Sequence, residues 1–226
     1  MERYNIFQLI HKGLRASLYQ TALQLQQTDF TSEEGTEEAI NKVKEIVMLF
    51  EGHAQKEDNY VLPAIHAYEP AVVASFEAEH VEDEKLGHHL QDCLIKLSTA
   101  TSFLEKLVAG RELNESFVAF TAFNLQHMAK EEDIINKILW RYYNDEEIKL
   151  ISGKISASIE PWIQDFYATW MLRGINDLEA AEWLKAIERG MPEEVFQSLM
   201  QKAEVEWTAE RFRKITHSLT EGVMVA

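Results

Sequence analysis

The sequence predicts an all-α protein: an antiparallel up-down-up-down four-helix bundle followed by additional C-terminal helices. Three observations point there. Apolar residues recur at helical spacing along most of the 226 residues. Only 4 prolines and 9 glycines punctuate the chain, which favours long helices over many short strands. Four histidines, His11, His53, His80 and His127, fall one to each of the first four helical stretches.

Helix one is expected over residues 3–27, with Ile6, Ile10, Leu14, Leu18, Ala22 and Leu25 on one face. Residues 28–35 are polar and read as a loop. Thr36 reads as the N-cap of helix two, with Glu37 and Glu38 in its first turn. That helix carries His53, Glu57 and Tyr60 to about residue 68, and Pro63 kinks it or tightens its end. Pro70 suits the first turn of helix three, which carries His80 and Glu84. Gly110 then reads as a C-terminal cap and Asn114 as the cap of helix four, which holds His127 and Glu131 and ends near residue 143. Short connections make neighbouring helices antiparallel.

Residues 1–143 are therefore read as the bundle. Residues 144–226 form a helical C-terminal extension that packs on it or mediates dimerisation. Asn144 with Glu147 and Asn176 with Glu179 have capping-box spacing, and Pro192 opens a last helix reaching about Ser218. All five tryptophans, Trp140, Trp162, Trp170, Trp183 and Trp207, lie in or at the edge of this extension. They attach the extra helices, form a homodimer interface, or cover a ligand channel.

Composition excludes several classes. A formal charge of −16 makes nucleic acid or an anionic membrane surface a poor partner. Cys93 is the single cysteine, so neither a disulfide framework nor a thiolate metal cage is available. The N-terminus has no secretory pattern and no apolar run approaches bilayer length, so a cytoplasmic protein is expected.

Three of the four histidines are followed four residues later by a glutamate: His53/Glu57, His80/Glu84 and His127/Glu131. Residues i and i+4 share a helix face, so each pair aims an imidazole and a carboxylate inward together. In an antiparallel pair, residues equidistant from the turn lie at one height. The midpoint of His11 and His53 is residue 32, inside the expected 28–35 loop, and that of Glu57 and His80 falls at the turn before Pro70. The midpoint of His80 and His127 lies near residue 103, ahead of the turn that the caps place at 110–114. Left uncorrected, that offset misplaces the two rings by roughly 25 Å. The height argument therefore asks helix three to break early, at Ser98, Thr99, Ala100, Thr101 and Ser102, which are poor helix formers, with a broad connection from Ser98 to Asn114.

Imidazole nitrogen and carboxylate oxygen together suit iron, and bridging carboxylates hold two ions about 3.5–4 Å apart. Seven candidates are too many for one tetrahedral zinc. His11, His53, His80 and His127 are expected as terminal nitrogen ligands, and Glu57 and Glu131 as bridges. Glu84 is a terminal ligand or an acceptor for an imidazole N–H. Tyr60 lines the cofactor pocket or packs in the core. His66, His88 and His89 read as surface residues.

With His11, HAQKE at 53–57, His80 and HMAKE at 127–131, the chain resembles the hemerythrin-like, or HHE cation-binding, family over about residues 1–143. The resemblance implies a four-helix bundle around a non-haem di-iron centre that meets oxygen, nitric oxide or peroxide, or responds to iron. The family's oxygen carriers have an HxxxH on helix three and an HxxxxD on helix four. Here those slots hold Glu84 and Glu132, and the added anionic oxygen favours the ferric state over reversible oxygen carriage. A di-iron protein that binds or senses oxygen, a related small ligand or iron is the expected function. The alternatives are a peroxidase- or oxidase-like di-iron enzyme, and a helical interaction module with incidental metal.

Overall fold

A computed structural model describes residues 3–221, helical almost throughout and with no strand among them. The all-α bundle with additional helices stands as expected. The described residues form two compact units, one of residues 3–7 and 17–159, the other of residues 8–16 and 160–221. The boundary drawn from sequence after residue 143 differs from this division. Helix α6 (Asp145–Ala157) buries Ile148 among Phe7, Val61, Leu62 and Ile138, and so belongs with the first unit.

In the first unit, residues 3–7 precede α1 (Gln8–Gln27) rather than opening it as expected. They are held outside the helix by side chains. Arg3 donates to Trp140 O and Tyr143 O and pairs with Asp145, while the Trp140 indole donates to Tyr4 O. Helix α2 (Glu33–Lys56) starts before Thr36: Ser32 Oγ accepts from Gly35 N–H, and Glu33 and Glu34 occupy the first turn. Thr36 instead donates to Phe30 O.

Helix α2 runs into a π-helical turn, Glu57–Val61, and then α3 (Leu62–His66). Leu62 N–H bonds Glu57 O, one residue wider than an α-turn. The cause lies in Pro63, which lacks an N–H and would clash with the carbonyl four residues back; the widened turn accommodates both. The extra residue shifts the buried face onto Val61, Leu62 and Ile65. Tyr60, expected near the face of His53, falls within the π turn and is half-buried.

Helices α4 (Pro70–Thr99) and α5 (Phe103–Tyr142) make a long antiparallel hairpin. Glu79 pairs with His127, Asp83 with Asn124, His89 with Ser116 and Lys96 with Glu112. The turn at 110–114 is therefore a misreading; helix three breaks early as the height argument asks, but the connection closes within residues 100–102 instead of running to Asn114. Ser102 caps α5 in a capping box with Glu105, and Gly110 and Asn114 are interior to the helix. A Cβ on Gly110 would lie 2.3 Å from Phe30 Cγ, so the glycine makes room for the buried Phe30 rather than ending a helix. Gly110→Ala is expected to cost about 2 kcal/mol despite the better helix propensity of alanine, because the root of the Phe30 side chain must move. Chemical denaturation measures it.

The Ser102 cap makes a second test. Ser102→Ala should cost about 1 kcal/mol. The backbone N–H groups of Ser102 and Thr101 hold the Glu105 carboxyl down to about 2. A carboxyl lowered by folding contributes stability that is complete above its ordinary value of 4.5 and is lost as pH falls from there towards 2. Acid unfolding of Glu105→Gln should lack that component.

The second unit contains residues 8–16 of α1 with α7 (Pro161–Gly174), α8 (Asp177–Gly190), α9 (Glu193–Glu206) and α10 (Ala209–Glu221). Leu172, Leu184, Phe196, Leu199, Trp207 and Ile215 form its core, with Leu9 packed against them. The capping boxes at Asn144/Glu147 and Asn176/Glu179 are both present. The single last helix expected after Pro192 is instead two, broken where Trp207 turns its indole N–H to Leu172 O. Trp170 and Trp207 are buried within this unit, Trp140 packs on the core of the first, and Trp162 is exposed.

Candidate metal centre

The inward groups of the first unit come from three places. The end of α2 and its π turn bring His53 and Glu57, α4 brings His80, and α5 brings His127 and Glu131. Helical periodicity puts His53 over Glu57 and His127 over Glu131, with Nε2 to carboxylate distances of 3.1 and 3.0 Å. The α4–α5 hairpin turns His80 between the two acids, its Nε2 3.3 Å from Glu57 Oε2 and 3.7 Å from Glu131 Oε1. His53, Glu57 and Glu131 offer ligand atoms within 4.8 Å of one another; so do Glu57, His80, His127 and Glu131. The two carboxylates are common to both groups.

All of this is dry. Glu131 is fully buried, and Glu57, His80 and His127 nearly so. Two carboxylates cannot stay charged at such a spot without positive charge close by. In the metal-free protein the imidazoles supply it. Burial works against a charged His80, yet bonds to Asp58, Glu131 and Glu57 push it up to about 12. For His127 burial is likewise overcome by Glu131 and Glu79, to about 9. The Nε2 of His80 reaches Glu57 and Glu131 only at 3.3 and 3.7 Å, so protons satisfy the cluster imperfectly. Cations that accept imidazole nitrogens and share the two carboxylates fit the donor set.

His11 is fully buried on α1, in line with Leu14, Leu18, Thr21 and Leu25 at helical spacing. Glu84 does not join the inward groups. The buried face of α4 runs through Phe76, His80, Asp83, Gly87 and Leu90, leaving Glu84 one residue off it and exposed. Tyr60 lies on the π turn, half-buried. His66, His88 and His89 are exposed, as expected.

Sequence reasoning overlooked three acids. Asp58 Oδ1 lies 2.6 Å from His80 Nδ1, and Glu79 Oε2 lies 2.9 Å from His127 Nδ1. Asp83 is buried one turn along α4 from His80 and accepts from Asn124 Nδ2 at 2.6 Å. Burial raises its carboxyl above the usual range, against the pull of Asn124 and the nearby imidazoles. None follows a histidine by four residues. Asp83 alone was legible, as the position on the apolar stripe between Phe76 and Gly87.

Comparison with known proteins agrees with the geometry. The chain is similar to F-box/LRR-repeat protein 5 of Danio rerio, at 25% identity over 170 residues, covering 73% of this chain and 24% of that protein. The same protein of Xenopus tropicalis is 27% identical over 133 residues (59% and 19%), and that of Salmo salar 26% identical over 161 residues (71% and 22%). The chain thus spans less than a quarter of the length of these relatives. No solved structure matches it. Among the described residues no helix is long and apolar enough to cross a membrane. The pattern of the Hemerythrin HHE cation binding domain matches residues 3–139, more than half of the chain and all of the inward histidines and glutamates. The chain belongs to this family of cation-binding domains.

Proposed function

We propose that the protein holds two iron ions between His11, His53, His80 and His127, with Glu57 and Glu131 shared between the ions, and that it uses them to bind or sense oxygen, nitric oxide, peroxide or iron itself. The observation that carries this reading is the pair of buried carboxylates common to two overlapping donor groups. One ion would need only one group; shared acids suit two. Neutral nitrogen and anionic oxygen together select iron over calcium or magnesium, which prefer all-oxygen shells, and over a thiolate-bound zinc. His11 enters as the buried histidine of α1, the fourth nitrogen donor expected from the sequence.

A pair of iron ions supplies one- or two-electron chemistry to a small ligand. The residues of this chain do the rest. The histidines present nitrogen, the glutamates balance charge, and Phe76 and Phe123, with ring centroids 5.8 and 5.9 Å from that of His127, screen one side from water. A cytoplasmic setting fits the single free cysteine.

Metal analysis of protein from iron-supplied cells tests the reading. Two irons per chain are expected, together with an absorption band between ultraviolet and visible that changes on exposure to air. Protein that purifies with a single zinc and takes up no ferrous iron would end it.

A further inference from the structure

Asp58 and Glu79 stand outside the donor set, yet each meets the outer nitrogen of one of its imidazoles. The inner nitrogens of the same two rings face Glu57 and Glu131, so each ring is held from both ends. An ionised carboxylate only accepts, so Nδ1 carries the hydrogen in both rings, and in the neutral ring Nε2 keeps the lone pair. The arrangement follows the chain closely. Asp58 directly follows Glu57, and Glu79 directly precedes His80. On each helix the neighbour of a donor reaches across to the histidine of the next helix, from the π turn to α4 and from α4 to α5. At the π turn, consecutive residues address opposite nitrogens of one ring, Glu57 at Nε2 and Asp58 at Nδ1. Glu79 is itself held, because its other oxygen accepts from Lys130 Nζ at 2.9 Å.

We infer that Asp58 and Glu79 are positioning residues of the cation site, fixing the Nδ1–H form and the ring angle of His80 and His127 so that both Nε2 atoms point at the cation. The inference rests on the cation-site reading above. An imidazole that donates to a carboxylate is also a stronger ligand, and loss of such an acceptor typically weakens metal binding 10–100-fold.

The test uses the full chain as wild type, Asp58→Ala, Asp58→Asn, Glu79→Ala and Glu79→Gln. Ferrous-ion affinity is measured anaerobically by chelator competition, and ring nitrogens are followed by NMR in protein loaded with zinc, which is diamagnetic. Each alanine should weaken binding by about 10–100-fold and remove one hydrogen-bonded Nδ1–H signal. Asn and Gln, whose amide oxygens still accept, should recover part of both. The Asp58 side chain is 45% exposed and that of Glu79 22%, so neither change opens the core, and circular dichroism checks this. Unchanged affinity across the series overturns the inference. Weaker binding with unaltered ring signals overturns it too, since lost charge alone would account for that. A wild type that takes up neither ion instead sinks the functional reading itself.

Discussion

Glu131→Gln is expected to strip the protein of its metal while leaving the bundle folded. Glu131 is one of two residues common to both donor groups, so its loss takes an oxygen ligand from each, whereas losing a histidine impairs one. It is fully buried, 3.0 Å from His127 Nε2 and 3.7 Å from His80 Nε2. Affinity should fall more than the 10–100-fold that follows loss of an outer acceptor. Gln keeps the volume and a neutral acceptor oxygen. Glu131→Ala would in addition leave a hole and no acceptor for His127 Nε2, at a further cost of about 2–5 kcal/mol. The pair of variants therefore separates metal loss from misfolding. Iron content after purification and dialysis provides the measurement, and Glu84→Gln provides the control. Glu84 is exposed, and its variant should retain full iron. Retention of two irons by Glu131→Gln would remove the shared-carboxylate reading.

The contrast between Glu131 and Glu84 shows which kinds of information the sequence carried. Both follow a histidine by four residues. On α5 the buried positions continue through Glu131 to Ile135, so spacing and stripe agree; on α4 they pass through Asp83, so they disagree. Capping boxes such as Asn144/Glu147 were legible because every participant lies within one turn. The same local logic failed at Gly110, where the reason for glycine is Phe30, eighty residues earlier. What located the α4–α5 turn instead was a non-local requirement, that His80 and His127 reach one height. Asp58 and Glu79 stayed hidden because their partners lie on other helices. The Asp58 contact depends on a π turn whose cause, Pro63, is visible in sequence while its consequence for side-chain direction is not.

The second large effect is expected at Gly174, within the other unit. A Cβ there would sit 2.3 Å from Lys12 O, 2.6 Å from Lys12 C and 3.0 Å from Gly13 N. From the opposite side, a Cβ on Gly13 would meet Met171 N at 2.9 Å. The backbones of α1 and α7 thus touch through two glycines, and every obstructing atom at Gly174 is main chain, which no rotamer change moves. Around this crossing, Glu179 takes Gln8 at 2.8 Å and pairs with Lys12 while capping α8, so residues 8–16 have little room to retreat. Gly174→Ala should therefore cost about 3 kcal/mol, the upper end of overpacking, even though alanine is the better helix former by up to about 1 kcal/mol. The opposite sign is expected for Gly153→Ala on α6, where nothing lies within 4 Å of the added carbon. There only the intrinsic preference acts, and stability should rise by about 0.5–1 kcal/mol. Denaturant unfolding reads both, by tryptophan fluorescence for Gly174, since four of the five tryptophans lie in the second unit, and by circular dichroism for Gly153 in the first. If the two substitutions shift stability in the same direction, close backbone contact is not what glycine at 174 provides.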